Sequence, residues 1–496
     1  MNSTGKTIAQ NAGILMLAQL ITWALTLALT IVLPRYLGAT NSGKLTIANS
    51  IWAIVAILAT FGMDTLLTKE IARDPAKAPR LFGASLGARV LLFAVGALGV
   101  MLYLRVANYP AETLIVVGIG GFAALAWLLI GACQAVLQGL ERMTPMALAT
   151  IAGKAFNTLV CITALLLGHG VYVVACIAAL AASINLALQL AALKRLGHLR
   201  IAFDARTLRE TLRAGFPYLM SGVFLIAYGQ VDVIIISLLV NEKTVGWYGA
   251  ASQLFGTSFF IPTVFITAVF PALSRMYADA SDALARLMRK SFDLLLIVAV
   301  PLGFGLFVIA DPLVILLFGA EFAPSGTLLA LLGLVLIATY QNILIGQFLI
   351  STDRQNQWTL VMAVATLATI PLDVLFVPWC QAQFQNGAIG GALSFIVTEI
   401  GMLIAGLGLL PRGALNRANA WLAARALCAG VVMAGTAWWA RDLFIGIPIL
   451  ISAIVYPTVA FALRVIVPAD LALFRQVAQG VAQRARKASA ASGRRG

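Results

Sequence analysis

Charge is scarce in this 496-residue sequence: Asp, Glu, Lys and Arg together make up 11% of it, against about a quarter in soluble domains. So few charges cannot cover the surface of a water-soluble protein of this length. Histidine occurs twice, as His169 and His198, in loops expected on opposite sides of the membrane argued below. The five cysteines (Cys133, Cys161, Cys176, Cys380, Cys428) form no CxxC pair, and their odd number argues against a disulfide framework. These residues offer no metal site and no cofactor site. A P-loop is also missing, so ATP does not power the chain directly. No loop is large enough to hold a glycosyltransferase or protease centre, and no regular arginine series suggests a voltage sensor.

Apolar residues, by contrast, make up 61% of the chain, and they fall in continuous runs of twenty or more rather than in alternation. This excludes transmembrane β-strands and leaves helices. Crossing a ~30 Å hydrocarbon core takes about 20 apolar residues. Runs of that kind are read at 11–33, 44–68, 82–106, 112–138, 147–168, 170–193, 214–239, 247–272, 290–310, 325–350, 357–378, 386–410, 421–441 and 446–466. The fold class is therefore an all-α integral membrane protein with about fourteen transmembrane helices. The first run is too long for the apolar core of a signal peptide and is read as a retained helix. Pro34-Arg35, Arg73-Asp74-Pro75, Asp311-Pro312 and Pro411-Arg412 are read as connections.

The net charge of +15 is spread over short loops, with no basic face beside interleaved aromatics, so nucleic acid is not an expected partner. With the amino terminus inside, cytoplasmic segments hold 25 of the 34 Lys and Arg residues. The outer side then holds Arg35, Lys44, Arg105, Lys243 and Arg441, and Arg89, Lys154, Arg425 and Arg464 lie within spans. Both termini are thus expected in the cytoplasm. Trp247, Tyr248, Trp379, Trp438 and Trp439 fall near outer helix ends, where an aromatic belt is expected. The outer loop 311–325 contains a short interfacial helix, Leu313 to Phe318. Beyond Val467, Leu471, Phe474, Val477 and Val481 recur at helical spacing ahead of Arg484, Arg486, Lys487, Arg494 and Arg495. That tail reads as a surface helix and basic strand near anionic lipids, or as a simply solvated end.

A weak internal repeat pairs Gly43-Lys44-Leu45-Thr46-Ile47-Ala48-Asn49 with Gly246-Trp247-Tyr248-Gly249-Ala250-Ala251-Ser252. It also pairs Gly139-Leu140-Glu141-Arg142 with Ser351-Thr352-Asp353-Arg354. Six-helix units repeated in parallel follow: an N-terminal lobe 1–193, a cytoplasmic linker 194–213, a C-terminal lobe 214–410, helices 13 and 14 over 411–466, and the tail 467–496.

Polar residues inside the spans are the candidate site, because lipid offers them no hydrogen bonds. Gln19, Thr22, Thr26 and Thr30 share one face of the first helix. Thr359, Thr366, Thr369 and Asp373 form a second stripe, Ser221, Tyr228 and Asp232 a third, and Asn185 and Gln189 lie in the sixth helix. Such stripes either glue helices together or line a wet cavity. Lys154, with Asn157 and Cys161 on its face, is set about 10 Å into its helix. Glu399 lies near the middle of its helix and Asp232 and Asp373 in the outer halves of theirs, whereas Arg89, Asp64, Asp293, Arg425 and Arg464 lie nearer helix ends, where snorkelling is open to them. A structural salt bridge is the other reading for each.

Six segments carry a family resemblance. In the first half these are Pro34-Arg35-Tyr36-Leu37-Gly38, Phe61-Gly62-Met63-Asp64 and Leu137-Gln138-Gly139-Leu140-Glu141-Arg142-Met143. In the second they are Val245-Gly246-Trp247-Tyr248-Gly249-Ala250-Ala251, Phe270-Pro271-Ala272-Leu273-Ser274-Arg275 and Leu317-Phe318-Gly319-Ala320-Glu321-Phe322. The chain resembles bacterial polysaccharide flippases of the multidrug/oligosaccharidyl-lipid/polysaccharide exporter superfamily over about residues 10–465. The resemblance implies two six-helix lobes around a central cavity, plus two extra helices, working by alternating access in the bacterial inner membrane and not as an enzyme. It implies a polyprenyl-diphosphate-linked oligosaccharide as substrate, with polysaccharide polymerase or assembly proteins as partners. Arg35, Arg89 and Lys154 would meet the diphosphate, and Asn157, Gln19, Thr22 and Thr26 the glycan. Asp232, Asp373, Glu399 and Asp64 would bind a coupling proton or sodium ion. A peptidoglycan-precursor lipid flippase, a multidrug/cation antiporter and, from another class, a membrane polysaccharide polymerase or ligase are the alternatives. The antiporter would want an anionic cavity, and the polymerase a large external loop.

Overall fold

A computed structural model describes residues 3–197, 205–278 and 283–466. The basic tail expected over 467–496, His198 and part of the 194–213 linker lie outside the described residues, as does the side chain of Ser221. The described residues are almost wholly helical. The helices are α1 (Ser3–Thr60), α2 (Met63–Arg73), α3 (Ala78–Val106), α4 (Ala111–Gly139), α5 (Met143–Leu166), α6 (Val171–Arg195), α7 (Ala205–Tyr228) and α8 (Val231–Leu239). They continue as α9 (Glu242–Thr257), α10 (Phe260–Ala278), α11 (Ala283–Phe318), α12 (Pro324–Ser351), α13 (Gln355–Phe384), α14 (Ala388–Leu409), α15 (Arg417–Trp438) and α16 (Gly446–Ala462).

Among the described residues, eleven helices are long and apolar enough to cross a membrane, or twelve if α7 and α8, bent by 44°, form one span. The expected fourteen further depends on two elements. The stretch Leu17–Arg73 counts once although it covers two expected spans, and Gly446–Ala462 is a short apolar helix. The 58 residues of α1 would extend roughly 87 Å if unbroken, almost three bilayer cores. Gly38 breaks the run with φ 76° and ψ 171°, a left-sided φ that favours glycine. A second break at Phe61 and Gly62, with φ 50° and 69°, starts α2. Large apolar side chains such as Leu98, Phe122, Leu159 and Leu367 are exposed, a surface that lipid accepts and water penalises. This is a multi-pass membrane protein.

Several placements differ from expectation. Pro34-Arg35 is not a connection, because α1 stays helical through Pro34 up to its break at Gly38. Asp311-Pro312 does not end a helix, because α11 runs on to Phe318 and stops at Gly319, φ 95°. A proline inside a membrane helix is tolerated where neighbouring helices take up the freed backbone groups. Tyr248 is not a belt residue. It is 5% exposed and gives its hydroxyl to Asp232, whereas Trp379, Trp438 and Trp439 are exposed as a belt requires.

The chain divides into two compact units. The first comprises Met1–Thr257, Leu313–Leu329 and Arg354–Ala405. Here α1 packs along α4, α5 and α9, and Met63, Leu67, Ile71, Phe82 and Leu137 form a core between α2, α3 and α4. The second comprises Ser258–Pro312, Ala330–Asp353 and Gly406–Gly496. Its helices come together where Gly303 meets Gly333 and where Val308, Ala434 and Ala437 pack with Phe304, Phe307 and Ile451.

Candidate functional site

Three of the resemblance segments meet in the first unit. The turn at Gly38 frees the amides of the next helical turn, and Glu321 caps one of them: Ala39 N–H donates to Glu321 Oε1 at 3.0 Å. Trp247 Nε1 donates to the Glu321 carbonyl at 3.0 Å, and Ser325 Oγ donates to the Trp247 carbonyl at 2.9 Å. Arg35 Nη1 reaches the Leu316 carbonyl at 3.2 Å. Gly43 and Gly246, which the internal repeat pairs, also meet: a Cβ on Gly43 would lie 3.0 Å from Gly246 N, and one on Gly246 would collide with the Ala39 carbonyl. The two acidic turn residues of the other repeat match, Glu141 and Asp353, both take φ 57°.

Beside this crossing, a cavity of about 230 Å³ opens between α1, α5, α6 and α9. Thr26, Thr30, Asn49, Lys154, Asn157 and Gln253 give it polar atoms, with Leu29, Leu33, Leu45 and Val174 among its apolar walls. Gln253 Nε2 donates to Thr30 Oγ1 at 2.9 Å, joining α9 to α1. Cys161 Sγ lies 3.6 Å from Asn157 Oδ1. Lys154 forms no ion pair among the described residues, and no acidic side chain is among the cavity's described lining. The arrangement presents one ammonium and several neutral donors and acceptors, which suits a phosphate oxygen and hydroxyl groups.

Only part of the expected substrate set gathers here. Thr26, Lys154 and Asn157 do; Gln19, Thr22, Arg35 and Arg89 do not line this cavity. The hydroxyls of Thr22 and Thr26 donate to the carbonyls of Gln19 and Thr22 in their own helix, at 3.0 and 2.7 Å. Arg89 is 0% exposed and its donors are spent on protein: Nε on Ser85 Oγ at 3.0 Å, Nη1 on the Leu128 carbonyl at 2.6 Å, Nη2 on Asp64 Oδ1 at 2.5 Å. Arg89 and Asp64 thus pair with each other. Sequence reasoning did not place Asn49 or Gln253 in the site. Asn49 ends the repeated segment, and Gln253 follows its copy, so the repeat itself carried the signal.

The remaining carboxylates form a second cluster in the same unit. Tyr248 OH donates to Asp232 Oδ2 at 2.5 Å. Asp373 is buried beside Asp232 and Ser394, with neither carboxylate oxygen in hydrogen-bond geometry. Glu399 accepts from Tyr228 OH at 3.1 Å, and that hydroxyl also lies 3.0 Å from Thr398 Oγ1.

Comparison with known proteins agrees with this helical plan. Residues 8–277, more than half of the chain, match the family described as Polysaccharide biosynthesis protein. The chain belongs to that family. It is 31% identical over 186 residues to the probable lipid II flippase MurJ of Vibrio cholerae, covering 36% of this chain and 34% of that protein. It is 22% identical over 174 residues to the probable low-salt glycan biosynthesis flippase Agl15 of Haloferax volcanii, covering 35% and 36%. The succinoglycan biosynthesis transport protein ExoT of Rhizobium meliloti is 23% identical over 354 residues, 66% of each chain. The matches therefore span about a third of the first two relatives and just under two thirds of the third. Among solved structures, a lipid II flippase MurJ in an inward closed conformation superposes with TM-score 0.71 at 14% identity, covering 90% of this chain and 99% of that one. An inward-facing MATE-family multidrug resistance transporter of the MOP superfamily gives TM-score 0.61 at 16% identity, covering 78% and 94%. At such identities these likenesses show the fold alone.

Proposed function

We propose that this chain is a flippase, not an enzyme, that moves a polyprenyl-diphosphate-linked oligosaccharide across the bacterial inner membrane by alternating access. The observation that carries the reading is Lys154: a lysine within a span, facing a polar cavity, with no carboxylate partner among the described residues. An ammonium at that depth costs several kcal/mol unless something anionic visits it, and a lipid diphosphate is such a visitor. Thr30, Asn49, Asn157 and Gln253 supply the neutral partners that sugar hydroxyls need. At about 230 Å³ the cavity is below the ~300 Å³ at which small-molecule pockets begin. It takes a diphosphate or the first sugar, and the glycan needs the cavity to open further. The described lining, which holds no acid, speaks against a cationic drug as cargo.

The proposal keeps lobes at 1–193 and 214–410, joined by 194–213, with 411–466 appended, the tail 467–496 near anionic lipids, and both termini in the cytoplasm. Assembly proteins of the same polysaccharide are its expected partners. Asp232 and Asp373 are proposed to hold the coupling proton or sodium ion, since two adjacent buried carboxylates repel each other unless a cation lies between them. Glu399 and Asp64 are further candidates, Glu399 accepting from Tyr228 as Asp232 does from Tyr248, and Asp64 paired with Arg89. The likeness to the Vibrio protein supports a second reading, a peptidoglycan-precursor lipid as cargo. Native mass spectrometry of the purified protein with polyprenyl-diphosphate oligosaccharide, lipid II or polyprenyl monophosphate separates the two. Retention of the first over the others, lost in Lys154→Gln, supports the proposal; preference for lipid II moves it to the second reading, and indifference to all three sinks both.

A further inference from the structure

The segments around Gly38, Trp247 and Glu321 meet at one place in the first unit, and the flippase reading leaves that meeting without a task. Thr26, Leu29, Thr30 and Leu33 line the Lys154 cavity from before Gly38, and Leu45 and Asn49 line it from after. On a straight helix Thr26 and Asn49 would lie about 35 Å apart. Both line one cavity of about 230 Å³, so α1 folds back at Gly38. That glycine is the tip of a hairpin whose two arms wall the cavity. Charge bias puts the tip on the outer side.

We infer that Glu321 is the latch of the cavity's outer end, a positioning residue that holds the first arm closed and lets it swing on Gly38 when released. The inference rests on the alternating-access reading above. Ala39 begins the second arm, and its N–H donates to Glu321 Oε1 at 3.0 Å; a carboxylate also suits the positive end of a helix. Helix caps ordinarily come from the residue that precedes the helix. This one comes from 282 positions along the chain, so it can be withdrawn without unwinding either arm. Gly38 makes room for it, because a Cβ there would lie 2.9 Å from Glu321 Oε2. The loop is anchored but its carboxylate is not. Phe322 is 1% exposed, with its ring 5.6 Å from that of Phe318, whereas Glu321 is exposed and can exchange Ala39 for water. Arg35 Nη1 ties the first arm to the same loop at the Leu316 carbonyl, and Trp247 Nε1 ties α9 to it at the Glu321 carbonyl. The second arm stays on α9 through the contact of Gly43 with Gly246. Opening therefore moves the first arm and breaks the bond from Gln253 to Thr30.

Cys161 lines the cavity and reports access to it without any introduced probe. The full-length protein is treated with the impermeant anion sulfonatoethyl methanethiosulfonate in right-side-out and in inverted vesicles, and modification of Cys161 is read by peptide mass spectrometry. Glu321→Ala is expected to raise labelling from outside about 2- to 30-fold, the span that helix caps are worth, and to lower labelling from inside. Glu321→Gln, whose amide oxygen still accepts from Ala39, should fall between wild type and Glu321→Ala. An equal rise from both sides would mean a loosened fold and overturn the inference. Unchanged labelling from outside would overturn it too, and a wild type that still flips lipid would leave the flippase reading standing. Conversely, if outside labelling rises and inside labelling falls in a protein that retains none of the three lipids tested above, the latch stands and only the cargo is wrong. Should Glu321→Ala not accumulate, Trp247→Phe decides by the same two readings, because it deletes the indole N–H that holds the Glu321 carbonyl.

Discussion

Adding one methyl group at Gly246 should be far more damaging than adding it ten residues further along the same helix. A Cβ at Gly246 would overlap the Ala39 carbonyl, and its other near neighbours, the carbonyl carbon and Cα of Ala39, are backbone too. Overpacking costs about 1–3 kcal/mol where side chains can shift. Here no side chain can give way and α1 and α9 must separate, so Gly246→Ala should cost about 3 kcal/mol or more. Gly256, also in α9, is exposed and has nothing within 4 Å of where its Cβ would lie. Alanine there removes backbone freedom from the unfolded chain and should gain about 0.4–1 kcal/mol. The two variants thus bracket a gap of about 4 kcal/mol, close to a thousandfold in the folded-to-unfolded ratio. Equilibrium unfolding of the purified protein in mixed detergent micelles reads it directly. Gly43→Ala should resemble Gly246→Ala, and the double variant should cost less than the sum, because both press on one crossing. If Gly246→Ala proves as stable as Gly256→Ala, the crossing described here is wrong.

Other substitutions probe the remaining clusters. Lys154→Gln keeps much of the side chain's volume but removes the charge, and should weaken polyprenyl-diphosphate binding about 10- to 150-fold, the range for a hydrogen bond to a charged group; Lys154→Arg should recover part of it in the same binding assay. Asp64→Asn strips the fully buried Arg89 of its counter-charge, but the half-exposed Asp64 side chain lets solvent screen the loss, so it should destabilise by about 1–3 kcal/mol, with Asp64→Leu/Arg89→Met milder in the same unfolding measurement. Asp373→Asn should leave lipid binding within about threefold yet abolish the dependence of transport on an imposed proton or sodium gradient, so a retained gradient dependence in proteoliposomes would exclude the carboxylate pair from coupling.

Most helices were legible because continuous apolar runs bounded by Pro, Gly and charge have few alternative readings in lipid. The expectation 325–350 stands beside the observed Pro324–Ser351, and 112–138 beside Ala111–Gly139. Pro312 misled, since the signal that ends a helix in water is tolerated in a bundle where α11 continues to Phe318. The site was legible in part. Lys154 and Asn157 share a helix face, which spacing alone shows. Gln253 reaches Thr30 from a residue 223 positions away, and no local pattern encodes that. The same limit applies to Arg89. Its position suggested a charge open to substrate or headgroup, but its partner Asp64 lies 25 residues back, where only the tertiary fold joins them.

The central claim is best tested by the leaflet distribution of polyprenyl-diphosphate glycans in host membranes with and without this protein. The account predicts accumulation on the cytoplasmic side when the protein is absent, reversed by wild type and not by Lys154→Ala. A distribution that does not change when the protein is removed would contradict it.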